Sequence, residues 1–85
     1  MRIVVAYDIK NDKNRNHLAK ELLVFGIRTQ KSLFECEVSE KELSIIKKIL
    51  KKYSESDDYV TIYNIKGEVL RIGDIEYLEI DDLVL

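Results

Sequence analysis

The chain has 85 residues, a formal net charge of −2, a single Cys and no Pro or Trp. That length fits one domain with a modest core, for which self-association is a common supplement, and the lone Cys36 excludes an internal disulfide framework or a Cys-rich zinc cluster. No apolar run reaches the length of a membrane span and no charged leader precedes one, so a soluble, cytoplasmic protein with no membrane partner is expected.

Residues 2 to 8 alternate, with Ile3, Val5 and Tyr7 on one face and Val4, Ala6 and Asp8 on the other, which predicts a strand. From Asp12 the period changes. Leu18, Leu22 and Phe25 recur at helical spacing, and Gly26 stands where a helix would end in a left-handed residue. Residues 28 to 38, RTQKSLFECEV, return to period two, with Phe34, Cys36 and Val38 alternating with Glu35 and Glu37. This stretch is long enough either to double back as two short strands or to cross a sheet with a bulge. Ser39 and Glu42 then form a capping-box pattern ahead of Leu43, Ile46, Ile49 or Leu50, and Tyr53, which predicts a second helix. Residues 57 to 65, DDYVTIYNI, read as another strand. The order predicts an α+β, ferredoxin-like βαββαβ plan in which two helices cover one face of an antiparallel sheet.

Residues 1 to 65 complete that core within a single domain spanning 1 to 85, and the segment 66 to 85 exceeds it. Lys66-Gly67 predicts a turn, Val69 to Ile72 a short strand, and Gly73-Asp74 a second turn. The apolar ending Leu83-Val84-Leu85 calls for cover, so residues 75 to 85 are expected to form an extra C-terminal strand that adds to a partner's sheet in a homodimer.

The net charge conceals a split. Residues 1 to 53 carry twelve Lys/Arg against seven Asp/Glu, whereas residues 54 to 85 carry two against nine. The first part suits a phosphate backbone, because affinity for nucleic acid follows local patches more than the total; the alternative is that Lys47, Lys48, Lys51 and Lys52 solvate a helix face. No Gly-rich nucleotide loop is present, which argues against an ATP-driven role. Asp8 poses a sharper question. A carboxylate ending an apolar strand must be solvated, hydrogen-bonded or neutralised by a cation, since burying it unpaired costs several kcal/mol.

The strand VVAYDI, the polar KNDKNRNH opening a helix, Gly26 and RTQKSLFE, in that order, resemble the Cas-two family of small CRISPR-associated adaptation proteins. The resemblance spans residues 1 to about 65. It implies a homodimer of ferredoxin-like subunits that works with the CRISPR integrase of the Cas-one family in acquiring spacers. It also implies a metal-dependent endonuclease acting on RNA or duplex DNA. In that family the aspartate ending the first strand is the metal ligand, which assigns Asp8 to magnesium or manganese and to catalysis. Magnesium often takes only one or two protein carboxylates, and two chains meeting near their first strands would supply two. Without the resemblance, Asp8 reads equally well as the cap of a turn.

The same resemblance implies that Arg15, in the first turn of the first helix, contacts phosphate; pairing with Asp12 is the alternative. His17 stands where the family often has another basic residue, but as a lone exposed helical histidine it reads first as solvated. Arg28 matches a basic family position suited to clamping phosphate in a bidentate fashion. Gln30 and Ser32 match polar positions, Ser32 as a group to orient a water or substrate oxygen. Phe34 matches a family aromatic, but its alternation with Cys36 reads first as core packing, as does the alternation of Tyr7. Three functions fit: a metal-dependent phosphodiesterase of this family, a DNA-binding adaptor without required catalysis, and a toxin-like ribonuclease of the same fold.

Overall fold

The computed structural model describes residues 1–72. They form β1 (Arg2–Asp8), α1 (Asp12–Leu22), β2 (Gly26–Gln30), β3 (Leu33–Glu37), α2 (Glu40–Tyr53) and β4 (Tyr59–Ile65). The strands make one sheet in the order β2-β3-β1-β4, with every neighbouring pair antiparallel. Order and pairing are those of the ferredoxin-like βαββαβ plan. The long period-two stretch after α1 doubles back: residues 28 to 38 contribute to two strands joined by a turn at Lys31 and Ser32.

Side chains on a strand alternate between faces, and here the two faces have different fates. Ile3, Val5 and Tyr7 of β1 and Phe34 and Cys36 of β3 are buried against Leu18, Ala19 and Leu22 of α1 and Ile46 and Leu50 of α2. Val60 and Ile62, opposite Tyr7 and Val5, extend this core along β4. Among the described residues, the other face has no helix over it and displays Val4, Ala6 and Asp8, with Tyr59 and Tyr63 well exposed on β4.

Local chemistry sets the helix limits. Asn11 caps α1 by accepting from the Asn14 amide, and Arg15 N donates to the Asn11 carbonyl as the helix begins. The capping box at α2 is complete: Ser39 Oγ accepts from Glu42 N and Glu42 Oε1 accepts from Ser39 N. Such a cap is typically worth about 1 kcal/mol.

Gly26 departs from expectation. The helix stops at Leu22, its last carbonyls being taken up by Leu23 N, Val24 N and Phe25 N, and Gly26 opens β2 without a left-handed backbone. Its lack of a side chain serves close packing between strands, because a Cβ there would lie 2.3 Å from the Glu35 carbonyl oxygen and 2.6 Å from Cys36 Sγ. The turn expected after β4 is present, with Gly67 at φ +93°. Residues 69 to 72 form no strand within this chain, in contrast to the expectation; Arg71 instead pairs with Glu35 on the open face. The expected dimerisation strand of residues 75 to 85 lies outside the described residues.

Candidate active site

Asp8 ends β1 on the open face, opposite Tyr59 in the register of β4. Its side chain is exposed and makes no hydrogen bond or ion pair among the described residues. Ala6, Tyr7, Asp8, Ser32, Tyr59 and Thr61 line a shallow depression there. Of the three fates open to this carboxylate, the single chain therefore realises solvation, and the turn-capping alternative is not what is seen.

The chain on either side of Asp8 is tightly held. Beyond it, Ile9 is buried and its carbonyl accepts from Arg15 Nη1 at 3.0 Å. Lys10 N donates to Asp58 Oδ1 at 3.0 Å and Lys10 Nζ to the Asp57 carbonyl at 2.7 Å. The Lys10 N bond, with one from Glu55 N, holds the Asp58 carboxyl below its ordinary range. Before it, Tyr7 N donates to the Ser32 carbonyl at 3.1 Å, tying β1 to the β2–β3 turn. A rigid frame of this kind places an exposed carboxylate without spending any of its own lone pairs.

The expected site residues divide between the two faces. Asp8 and Ser32 share the depression. Tyr7 and Phe34 are on the helix-covered face, their rings 6.3 Å apart, as the core reading of both predicts. Tyr7 keeps a polar task, its hydroxyl donating to the Lys31 carbonyl at 3.2 Å. Burial raises its phenol pKa, against the pull of the Arg28 and Arg15 charges.

Arg28, expected from the resemblance as a phosphate clamp, lies buried on the covered face of the single chain. It pairs with Phe34 in the β2–β3 register, so its side chain falls on the covered face and is only 1 % exposed. Its Nε donates to the Lys31 carbonyl at 3.0 Å. Arg15 adopts the pairing with Asp12 that the sequence offered as the alternative, while also holding Ile9, and little of its side chain reaches solvent. His17 is exposed on α1 and packs edge-on against Tyr53, with ring centroids 5.8 Å apart.

Sequence reasoning missed Tyr59 and Thr61, which reach the depression because β4 pairs with β1; only the strand register could have revealed them. It also missed the Lys31 carbonyl as a shared acceptor. No cluster of three or more His, Cys, Asp or Glu side chains suited to a metal exists among the described residues. One unshared carboxylate with neutral oxygens nearby still fits magnesium, a hard cation that keeps most of its waters.

The class defined so far is a small ferredoxin-like α+β protein whose open sheet face carries an unshared carboxylate at a strand end. The family model for CRISPR associated protein Cas2 matches residues 1–71. The chain belongs to that family. A relative from Synechocystis sp., named CRISPR-associated endoribonuclease Cas2 3, is 37 % identical over 73 residues, covering 85 % of this chain and 79 % of the relative. Among solved structures, a hypothetical protein from Thermus thermophilus matches at 33 % identity and a TM-score of 0.81, covering 88 % of this chain and 93 % of its own. The Streptococcus pyogenes Cas2 crystal structure at pH 6.5 matches at 29 % identity and a TM-score of 0.72, covering 84 % of this chain and all of its own. Among the described residues, no helix is long and apolar enough to cross a membrane.

Proposed function

We propose that this protein is a metal-dependent endonuclease that cleaves RNA, and duplex DNA as a second substrate. In this reading it acts in the cytoplasm as a homodimer, together with the CRISPR integrase of the Cas-one family, in acquiring new spacers. The observation that carries the reading is the unshared Asp8 carboxylate at the mouth of β1, in a family that includes a relative named as an endoribonuclease. Asp8 would hold magnesium or manganese, with the Ser32 and Thr61 hydroxyls as neutral oxygens lining the same depression. A bound ion of that kind supplies an activated water and offsets charge at the scissile phosphate. The chain's part is to hold the carboxylate in place, with Lys31 exposed on the neighbouring turn as a positive charge facing the approaching backbone. The homodimer is supported by the open face, where Val4, Ala6 and Leu33 are half-buried and Ile27, Tyr59 and Tyr63 are exposed, with no covering layer of helix or sheet among the described residues. A second copy laid over that face would bring two Asp8 side chains toward one another.

A second reading, a DNA-binding adaptor without required catalysis, is favoured by the single carboxylate and the absence of a larger ligand cluster among the described residues. One experiment separates them. Wild type and Asp8→Asn are compared for RNA and DNA cleavage with magnesium or EDTA, and then for spacer integration with the integrase supplied. Metal-dependent cleavage lost in the variant supports the nuclease. Equal cleavage by both removes Asp8 from the chemistry, and integration that survives the loss of cleavage selects the adaptor.

A further inference from the structure

The connection between β2 and β3 is a short surface turn, yet two residues of the covered face are committed to it. The Lys31 carbonyl accepts from the Tyr7 hydroxyl at 3.2 Å and from Arg28 Nε at 3.0 Å, while the next carbonyl, that of Ser32, accepts from Tyr7 N at 3.1 Å. Tyr7 is 4 % exposed and Arg28 1 %. A hairpin turn ordinarily leaves its carbonyls to water, and desolvating a guanidinium costs several kcal/mol before any partner is found. Turn formation alone does not explain that cost. Immediately before the turn the register shifts between Arg28 and Gln30, so that two residues of β2 face one of β3. Such bulges re-aim the residues beyond them and are frequent beside active sites. The residue so aimed is Ser32, which lines the depression next to Asp8.

Resting on the endonuclease reading above, we infer that Tyr7 and Arg28 are positioning residues: from beneath the sheet they fix the Lys31–Ser32 turn so that Ser32 is held beside Asp8 for the substrate. Neither side chain touches the nucleic acid in this arrangement. Arg28 Nε holds the Lys31 carbonyl, and the Tyr7 backbone and hydroxyl grip two successive peptides. This gives Arg28 a role that its burial allows and a direct phosphate contact does not.

The test uses the full chain with Tyr7→Phe, Arg28→Lys, Ser32→Ala and the two double variants that combine Ser32→Ala with each of the others. Tyr7→Phe removes one hydroxyl and is the mild variant, so the inference stays testable if the Arg28 change impairs folding. Two readouts are taken: amide hydrogen exchange of Lys31 to Leu33, and single-turnover cleavage of an RNA oligonucleotide in magnesium, analysed as kcat against KM. Expected are faster exchange confined to the turn and a fall in kcat on the order of ten- to hundredfold with KM unchanged, as a misplaced group produces. Adding Ser32→Ala to Tyr7→Phe should then cost little more, because the hydroxyl is already out of place. Unchanged exchange at the turn overturns the inference. So does a rise in KM with kcat retained in Arg28→Lys, which would make Arg28 a direct contact to the substrate. If wild type cleaves no faster than Asp8→Asn, the endonuclease reading fails, and the exchange data alone decide whether Tyr7 and Arg28 hold the turn.

Discussion

The two faces of the sheet are built from the same four strands and differ in what water is allowed to reach. On the covered face, Ile3, Val5, Phe34 and Cys36 pack against both helices, and even the Tyr7 hydroxyl and Arg28 Nε are turned to a backbone carbonyl, that of Lys31. On the open face, β1 ends in a carboxylate that nothing within the described chain neutralises, and the strand neighbours are half-buried or exposed. One face holds the fold and the other holds the groups left for chemistry. The faces communicate at the Lys31–Ser32 turn, gripped from below and presenting Ser32 above. If this division is real, substitutions on the two faces must separate stability from activity.

The largest effect is expected for Phe34→Ala. Phe34 is fully buried between the strands and helices, and removing such a ring costs about 3–5 kcal/mol. A small domain commands about 5–15 kcal/mol in all, so the variant should lose much of its denaturant resistance and melt far below wild type. A shift of only a degree or two in the thermal midpoint would show that the covered face is not where the stability resides.

Asp8→Asn is the mirror experiment on the open face. Cleavage in magnesium should fall on the order of 10²–10³-fold, the scale seen when a group stabilising transition-state charge is removed. The thermal midpoint of the dilute protein should hardly move, because the carboxylate has no partner to lose. A variant that loses activity and stability together would break the comparison.

Much of the division was legible in the sequence. The period-two alternation of residues 2 to 8 assigned both faces of β1, and it set Asp8 apart as the one charged side chain ending an apolar strand. The Ser39–Glu42 pattern marked the start of α2. The failures have a common cause. The burial of Arg28 was not legible because only its pairing with Phe34 reveals which way it points, and register is a long-range property. Gly26 sits where a helix cap is plausible, whereas the constraint on it comes from Glu35 and Cys36 on another strand. The turn at Lys31 and Ser32 carries no Gly, Pro or Asn to announce it; two buried side chains and a backbone amide stabilise it in their place. Tyr59 and Thr61 joined the site through the same unseen register.

An effect of intermediate size is expected from pH, and it belongs to the covered face alone. Burial, assisted by the negative charge of Glu35, pushes the Cys36 thiol from its ordinary 9.0 up to about 11. A thiol whose folded pKa is raised stabilises the fold fully below pH 9, and that contribution is lost as pH rises through about 11. The range corresponds to roughly 2–3 kcal/mol. Thermal midpoints measured from pH 8 to 11 should therefore fall more steeply for wild type than for Cys36→Ala. The Tyr7 phenol is common to both proteins and cancels in the difference. Parallel curves would mean that water reaches Cys36.

The smallest effect tests the open face where it is most exposed. Arg2 and Glu37 are cross-strand partners on that face, with Nε and Oε2 3.7 Å apart and side chains 48 % and 74 % exposed. A pair so solvated is worth about 0.2–1 kcal/mol, and salt screens it. In dilute protein, Glu37→Gln should lower the thermal midpoint by a few degrees at most, and the difference should vanish on the order of 1 M salt. The same pair would respond differently under a second copy. Covering it removes water from both charges, and breaking a buried pair by deleting one partner costs about 3–5 kcal/mol because the other charge is left behind. Melting both proteins over a range of protein concentrations therefore reports on the cover itself. A penalty that grows with concentration means that the partner reaches this end of the sheet. A small, constant penalty confines the contact to the end bearing Asp8 and Tyr59. A large penalty already present in the dilute monomer would contradict the premise that this face is in water, and with it the contrast between the two faces.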